Sequence, residues 1–213
     1  MSLEFEIPLV SLIFILILNI VYFSKKRADL EENKPYKVIL ISSLIVAAID
    51  TVIHIICSAN TFESIVNNYY TLLNYLNKIL SSLFSVIFSN LFFYTLLITY
   101  DKVRKNPKKI STILIIANIV FSVIMLFTNI KLVDAKVATN VTGATTMLGY
   151  AMVAIMLTGS LLVALTNIKK LDKRYLSIFI VFLLLVILYF FSLLIPGMII
   201  YDLILALMCY IMY

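Results

Sequence analysis

Long apolar runs separated by short polar connections make up most of this chain. None of the runs alternates with a period of two, and each is close to the roughly 20 residues that an α-helix needs to cross about 30 Å of hydrocarbon. The pattern therefore predicts an all-α integral membrane protein, a seven-helix transmembrane bundle forming a single domain over residues 1–213. The predicted spans are Ile7–Phe23, Val38–Cys57, Ile79–Tyr100, Ile110–Ile130, Thr146–Ile168, Tyr175–Ile195 and Gly197–Tyr213.

The division between the last two spans depends on the dipeptide Pro196-Gly197. A single helix over residues 175–213 would be about 58 Å long at 1.5 Å per residue, nearly twice the hydrocarbon thickness. Because Pro-Gly is a turn dipeptide, we predict two helices joined by a tight turn. Six spans is the alternative if this turn does not form.

Composition excludes a soluble domain and gives no sign of a cofactor. Hydrophobic residues make up 63% of the chain and charged residues 13%, against about 45–50% and about 25% in soluble domains. The two cysteines, Cys57 and Cys209, lie inside apolar runs and form neither a disulfide framework nor a metal-ligand pattern. The sequence also lacks the HExxH, GxSxG and P-loop motifs, so we expect this chain not to be an enzyme.

The basic residues alternate between connections and predict the orientation. The connections 24–37, 101–109 and 169–174 hold 14 of the 17 Lys and Arg residues. Short cytoplasmic loops collect positive charge, so we predict the N-terminus outside and the C-terminus in the cytoplasm. The net charge of +6 thus follows from the topology, and the expected partners of the basic loops are anionic lipid headgroups. No nucleic acid is expected as a partner.

The two longest outer connections differ in character. Residues 58–78 have helical apolar spacing, which predicts an amphipathic helix along the outer interface that places Tyr69, Tyr70 and Tyr75 at headgroup level. Residues 131–145 are polar and are predicted to form a ligand-accessible loop. The small residues of the fifth span, such as Gly149 and Gly159, predict a place near the bundle centre, and the sixth span is expected to face lipid.

Four ionisable residues fall in the predicted outer half of the bundle, where charges are costly and are candidates for function. They are Asp50, His54, Lys78 and Asp202. One hypothesis is an outward-opening pocket for a small ligand, a cation or a peptide. The other is an interhelical hydrogen bond from Asp50 or His54 to Asn19, Asn90 or a threonine. One histidine beside one carboxylate is too little for a structural metal site, so no metal is predicted.

The third span also carries a stripe of serines. For these hydroxyls we expect bonds to carbonyls of their own helix, rather than catalysis. The stripe consists of Ser81, Ser82, Ser85 and Ser89.

Two segments resemble a bacterial family. They are Val21-Tyr22-Phe23-Ser24-Lys25-Lys26-Arg27, followed by Glu31-Glu32-Asn33-Lys34-Pro35-Tyr36-Lys37 and a new span, and the closing Ala206-Leu207-Met208-Cys209-Tyr210-Ile211-Met212-Tyr213. With the overall layout, they resemble the N-terminal multi-spanning sensor region of membrane histidine kinases, many of them hybrid, from low-GC Gram-positive bacteria. The resemblance implies a multi-pass location in the bacterial plasma membrane. It also implies an effector domain after residue 213, comprising a phosphoacceptor and an ATP-binding region, and a homodimer formed through that kinase part.

These observations favour a transmembrane sensor or receptor that relays an extracellular or membrane signal to a cytoplasmic effector. The alternatives are a small complete channel or transporter, and a membrane anchor.

Overall fold

The computed structural model describes residues 3–25, 30–31, 33–134, 139–167, 187 and 201–213. Five of its helices are long and apolar enough to cross a membrane, and a shorter apolar helix covers Leu203–Met212. The chain is therefore built as a multi-pass membrane protein of predominantly α-helical structure. Its α-helices are α1 (Leu3–Ser24), α2 (Asn33–Ala59), α3 (Phe62–Ser64), α4 (Tyr70–Thr99), α5 (Asp101–Lys105), α6 (Pro107–Leu126), α7 (Ala144–Thr166) and α8 (Tyr201–Met212).

Each of the first five predicted spans overlaps a long helix, but the fourth helix ends at Leu126 and not at Ile130, which belongs to a β-strand. The third helix begins earlier than predicted, because a π-helical turn at Ile65–Tyr69 joins α3 to α4 and makes residues 62–99 nearly continuous. The predicted sixth span, Tyr175–Ile195, lies outside the described residues apart from Ile187, and so does the turn at Pro196-Gly197. The seventh span is described from Tyr201 onward, so the count of seven spans stays a prediction.

A β-hairpin forms where the sequence predicted a polar loop. Strands β1 (Ile130–Asp134) and β2 (Thr139–Gly143) pair antiparallel, with Ile130 opposite Gly143. Ile130 is buried and Lys131 exposed, the alternation expected of a strand with one covered face. Gly143 has φ +113°, and a Cβ there would lie 2.8 Å from the backbone nitrogen of Lys131. Only glycine fits this position without strain.

The two ends of the helix bundle differ chemically. The hairpin end contains residues 60–69 and the β-hairpin. The basic end contains the C-terminus of α1, the N-terminus of α2 and the connection from α4 to α6. Most of the basic residues in the described ranges lie here, namely Lys25, Lys34, Lys37, Lys102, Arg104, Lys105, Lys108 and Lys109.

Helix α4 lies at the centre of the described helices and contacts α2, α6 and α7. Small residues of α7 allow the close approach predicted for the fifth span. A Cβ at Gly149 would lie 3.0 Å from the Ser81 hydroxyl oxygen, and one at Gly159 would lie 3.3 Å from the Phe92 ring. Helix α6 is peripheral, since Met125 is its one buried residue.

A smaller apolar cluster closes the hairpin end. It joins Ile53 and Cys57 of α2 to Ile65, Leu73 and Ile130. The segment 58–78 is thus helical as predicted, but its apolar face packs on α2 and on the hairpin. The hydroxyl of Tyr70 donates to the carbonyl of Ile130 at 3.1 Å, which fastens the hairpin to α4.

Candidate functional site

Asp50 and His54 form a polar pair on one helix. The His54 Nε2 lies 3.4 Å from the Asp50 Oδ2, one helical turn away, and the two side chains are 25% and 20% exposed. The amides proposed as interhelical partners are engaged elsewhere. Asn19 donates to the carbonyls of Ile15 and Leu40, and Asn90 donates to the carbonyl of Val86. The pair therefore lies within α2 and does not bond to either amide.

Three polar side chains follow one another along one face of α2. Tyr36, Ser43 and Asp50 are spaced by seven residues, which is two helical turns and about 10 Å per step. The Tyr36 hydroxyl donates to the carbonyl of Cys209 at 2.8 Å, and the Cys209 thiol donates to the Ser43 hydroxyl at 3.4 Å. The face that carries Asp50 therefore also holds the last helix.

Lys78 contacts the C-terminus of α6 and not the Asp50–His54 pair. Its ammonium donates to the backbone carbonyl of Leu126 at 3.0 Å and lies 5.8 Å from the centre of the Tyr75 ring. Only 8% of Lys78 is exposed. A cation at the carbonyl end of a helix is favourable, so Lys78 ties the C-terminus of α6 to α4.

Asp202 belongs to the first turn of α8, and its side chain lies outside the described residues. Of the four predicted site residues, the structure thus brings Asp50 and His54 together and directs Lys78 toward α6.

A groove of about 1170 Å³ runs between α4 and α6, with the N-terminus of α2 at its basic end. We call it the α4–α6 groove. It combines apolar walls with polar groups and with lysines at both ends. Its lining residues include Val86, Phe93, Ile115, Ile119 and Val123, then Ser82, Asn90, Ser111, Asn118 and Ser122, and finally Glu31, Lys34, Lys78, Lys105 and Lys108.

A short hydrogen-bond ladder joins the two walls of this groove. The Ser85 hydroxyl donates to Oδ1 of Asn118 at 2.5 Å, and Nδ2 of Asn118 donates to the Ser89 hydroxyl at 2.7 Å. Ser89 also donates to the Val86 carbonyl, the bond within its own helix that was expected of the serine stripe. For Ser85 that expectation is wrong, because its hydroxyl bonds to α6 instead. Sequence reasoning missed Asn118, although an amide in the middle of an apolar span is itself a signal for a helix–helix contact.

In the ranges that the structure describes, no group of three or more His, Cys, Asp or Glu residues is arranged to hold a metal ion. Comparisons with protein-family models, with curated proteins and with solved structures found no match to this chain. The evidence for its function therefore comes from its own residues.

Proposed function

We propose that this chain is a transmembrane sensor or receptor domain that relays a signal from the hairpin end to an effector at the basic end. The observation that carries the proposal is the shared face of α2. Asp50 lies about 10 Å from Ser43, which contacts Cys209 of α8. One rigid helix thus connects a polar pair within the bundle to the last helix of the chain.

The charge distribution supports an orientation with the hairpin end outside and the basic end in the cytoplasm. Lysines and arginines cluster where α1, α2, α4 and α6 reach the basic end, and short basic loops are retained on the cytoplasmic side. In this orientation α8 runs inward, since its C-terminal turn lies beside Tyr36 at the start of α2. The plasma membrane of a bacterium is the location that the resemblance implies.

The proposed mechanism is a displacement of α8 that follows a change at Asp50 and His54. A small ligand, a cation or a peptide that binds this pair differently in two states of α2 would shift the population of those states. Tyr36 and Ser43 would transmit the shift to Cys209. A histidine kinase region acting as a homodimer is the effector that the resemblance implies.

The test is to join the chain through Tyr213 to a kinase region of known activity and to measure autophosphorylation in sealed vesicles. Ionic composition and pH would be varied on the side of the hairpin end. Asp50→Asn and His54→Ala should alter the response while protein abundance stays unchanged. Thr158→Ala is a matched control, because the Thr158 hydroxyl is exposed and bonds to the Ala154 carbonyl of its own helix. A normal response from both site variants at normal abundance would refute the role of the pair.

The α4–α6 groove favours one alternative, a small channel or transporter. It extends along α6 from Lys108 to Leu126 and contains hydroxyl and amide groups between its lysines, as a path for a polar solute would. Ion or solute flux through liposomes that contain only this chain, abolished by Asn118→Leu, would support transport. Absence of flux together with a kinase response would support the sensor.

A further inference from the structure

We propose that the basic end of the α4–α6 groove is a binding site for an anionic phospholipid. The headgroup would lie at Lys105 and Lys108, and an acyl chain would follow α6 toward the middle of the bundle. This inference does not depend on the sensor function, because it concerns a surface that is lined by neither Asp50 nor His54.

Charge complementarity identifies the headgroup. Lys34, Lys105 and Lys108 line the mouth of the groove together with Glu31. Glu31 is already paired with Lys34 at 2.6 Å. In the part of the chain that the structure describes, no ion pair or side-chain hydrogen bond engages the ammonium groups of Lys105 and Lys108. Two adjacent cations without an acidic partner at the end of a membrane helix favour a negatively charged headgroup.

The dimensions of the groove identify the rest of the ligand. Helix α6 has 20 residues and is therefore about 30 Å long, which is the thickness of the hydrocarbon region. From Pro107 to Ile115 is about 12 Å, so Ile115 lies in the deeper part of the roughly 15 Å of hydrocarbon that one leaflet provides. The walls at this depth present Ile115 and Ile119, each more than half exposed, beside Asn118, whose amide is already bonded to serines of α4. A flexible hydrocarbon chain covers such a surface without leaving polar groups unpaired.

A soluble anion would satisfy the lysines but would leave the apolar walls uncovered. A helix from a second copy of the chain would cover the walls, but the basic end of that copy would bring mainly further lysines and arginines to the lysines of the groove. An anionic phospholipid meets both requirements at once.

The test uses the absence of tryptophan from the chain. Ile115→Trp introduces a single tryptophan in the groove, which can be excited selectively over the tyrosines of the chain. Ile17→Trp introduces one at a similar depth on α1, about 10 Å from Ser24, where the side chain is 46% exposed. The full chain is reconstituted in phosphatidylcholine vesicles in which either phosphatidylglycerol or phosphatidylcholine carries bromine on its acyl chains. Bromine quenches tryptophan only at close range.

In the Ile115→Trp variant we expect brominated phosphatidylglycerol to quench the fluorescence more strongly than brominated phosphatidylcholine at equal content. In the Ile17→Trp variant the two lipids should quench equally. Adding Lys105→Gln and Lys108→Gln to the groove variant should lower its preference by about 25-fold, since each lysine near an anionic surface contributes roughly a factor of five.

A second pair of substitutions is the control for charge. Lys102→Gln with Lys109→Gln removes the same charge from exposed positions of the same end that do not line the groove. This pair should leave the preference of the groove fluorophore unchanged.

Three results would overturn the proposal. The first is equal quenching of the groove fluorophore by both lipids, and the second is an equal effect of the two double substitutions. The third is loss of the preference when soluble glycerol phosphate is added, which would assign the lysines to a headgroup-sized anion alone. Helical content measured by circular dichroism verifies that each variant is folded.

Discussion

The hydroxyl of Tyr36 donates a hydrogen bond of 2.8 Å to the backbone carbonyl of Cys209. The two residues belong to the second and the last described helices, and Tyr36 is only 3% exposed. Tyr36 also packs edge-on against the ring of Tyr22, with centroids 5.1 Å apart. A single aromatic side chain therefore joins α1, α2 and α8 at the basic end.

Tyr36→Phe should destabilise the fold by about 1 kcal/mol, the usual net contribution of a buried hydrogen bond. The ring packing survives the change, and the Cys209 carbonyl keeps a second donor in the amide of Tyr213, so this carbonyl is not left unpaired. The midpoint of thermal unfolding in detergent measures it. Tyr210→Phe is the matched control, because its bond to the Phe14 carbonyl is longer, at 3.4 Å, and exposed. Equal shifts in both variants would contradict the role given to Tyr36.

The ladder between α4 and α6 leads to a second prediction. Asn118→Leu removes two interhelical hydrogen bonds, each contributing about 0.6 kcal/mol on average in membrane proteins. Since α6 buries little else than Met125, its amides should exchange hydrogen faster in the variant. Mass spectrometry of the exchanged peptides measures the rate. Asn90→Leu should leave α6 unchanged, because Asn90 bonds to its own helix.

The sequence predicted the long helices well because each span requires about 20 apolar residues and a polar interruption on either side. The hairpin was not predicted, since its strands are only 5 residues each. The strands are held in place by hydrogen bonds to distant parts of the chain. One of these is donated by the backbone amide of Ile130 to Oδ1 of Asn74. Asp50 and His54 lie 3.4 Å apart because residues four apart share a helix face. The partners of Lys78 and Asn118 depend on the rotation of α4 against α6, which the sequence does not specify.

The close packing of α7 on α4 gives a third prediction. Gly149→Leu and Gly159→Leu should each reduce the folded fraction, because inserting a large side chain into a packed contact costs about 1–3 kcal/mol. At Gly149 the new side chain meets Ser81, and at Gly159 it meets the Phe92 ring. Leu162→Ala, at a position 59% exposed on the same helix, is the control and should have little effect. Monodisperse protein recovered by size-exclusion chromatography measures the outcome, and similar losses in all three would contradict this packing.

The last prediction concerns the orientation of the bundle. Cysteines placed at Asn106 and at Val133 should be labelled from opposite sides of the membrane by a thiol reagent that does not cross it. Asn106 lies at the basic end, in the connection between α5 and α6, and Val133 lies on β1 with 47% of its surface exposed. The native Cys57 and Cys209 are 7% and 0% exposed, so the parent protein provides an unlabelled background.

In intact cells we expect Val133→Cys to react and Asn106→Cys to react only after the membrane is permeabilised, because short loops rich in Lys and Arg stay in the cytoplasm. The reverse result would place the basic end outside the cell and would reverse the proposed direction of signalling. Labelling of both positions from outside would show that α6 does not cross the membrane. In that case the α4–α6 groove would lie at the surface and could not follow the length of an acyl chain.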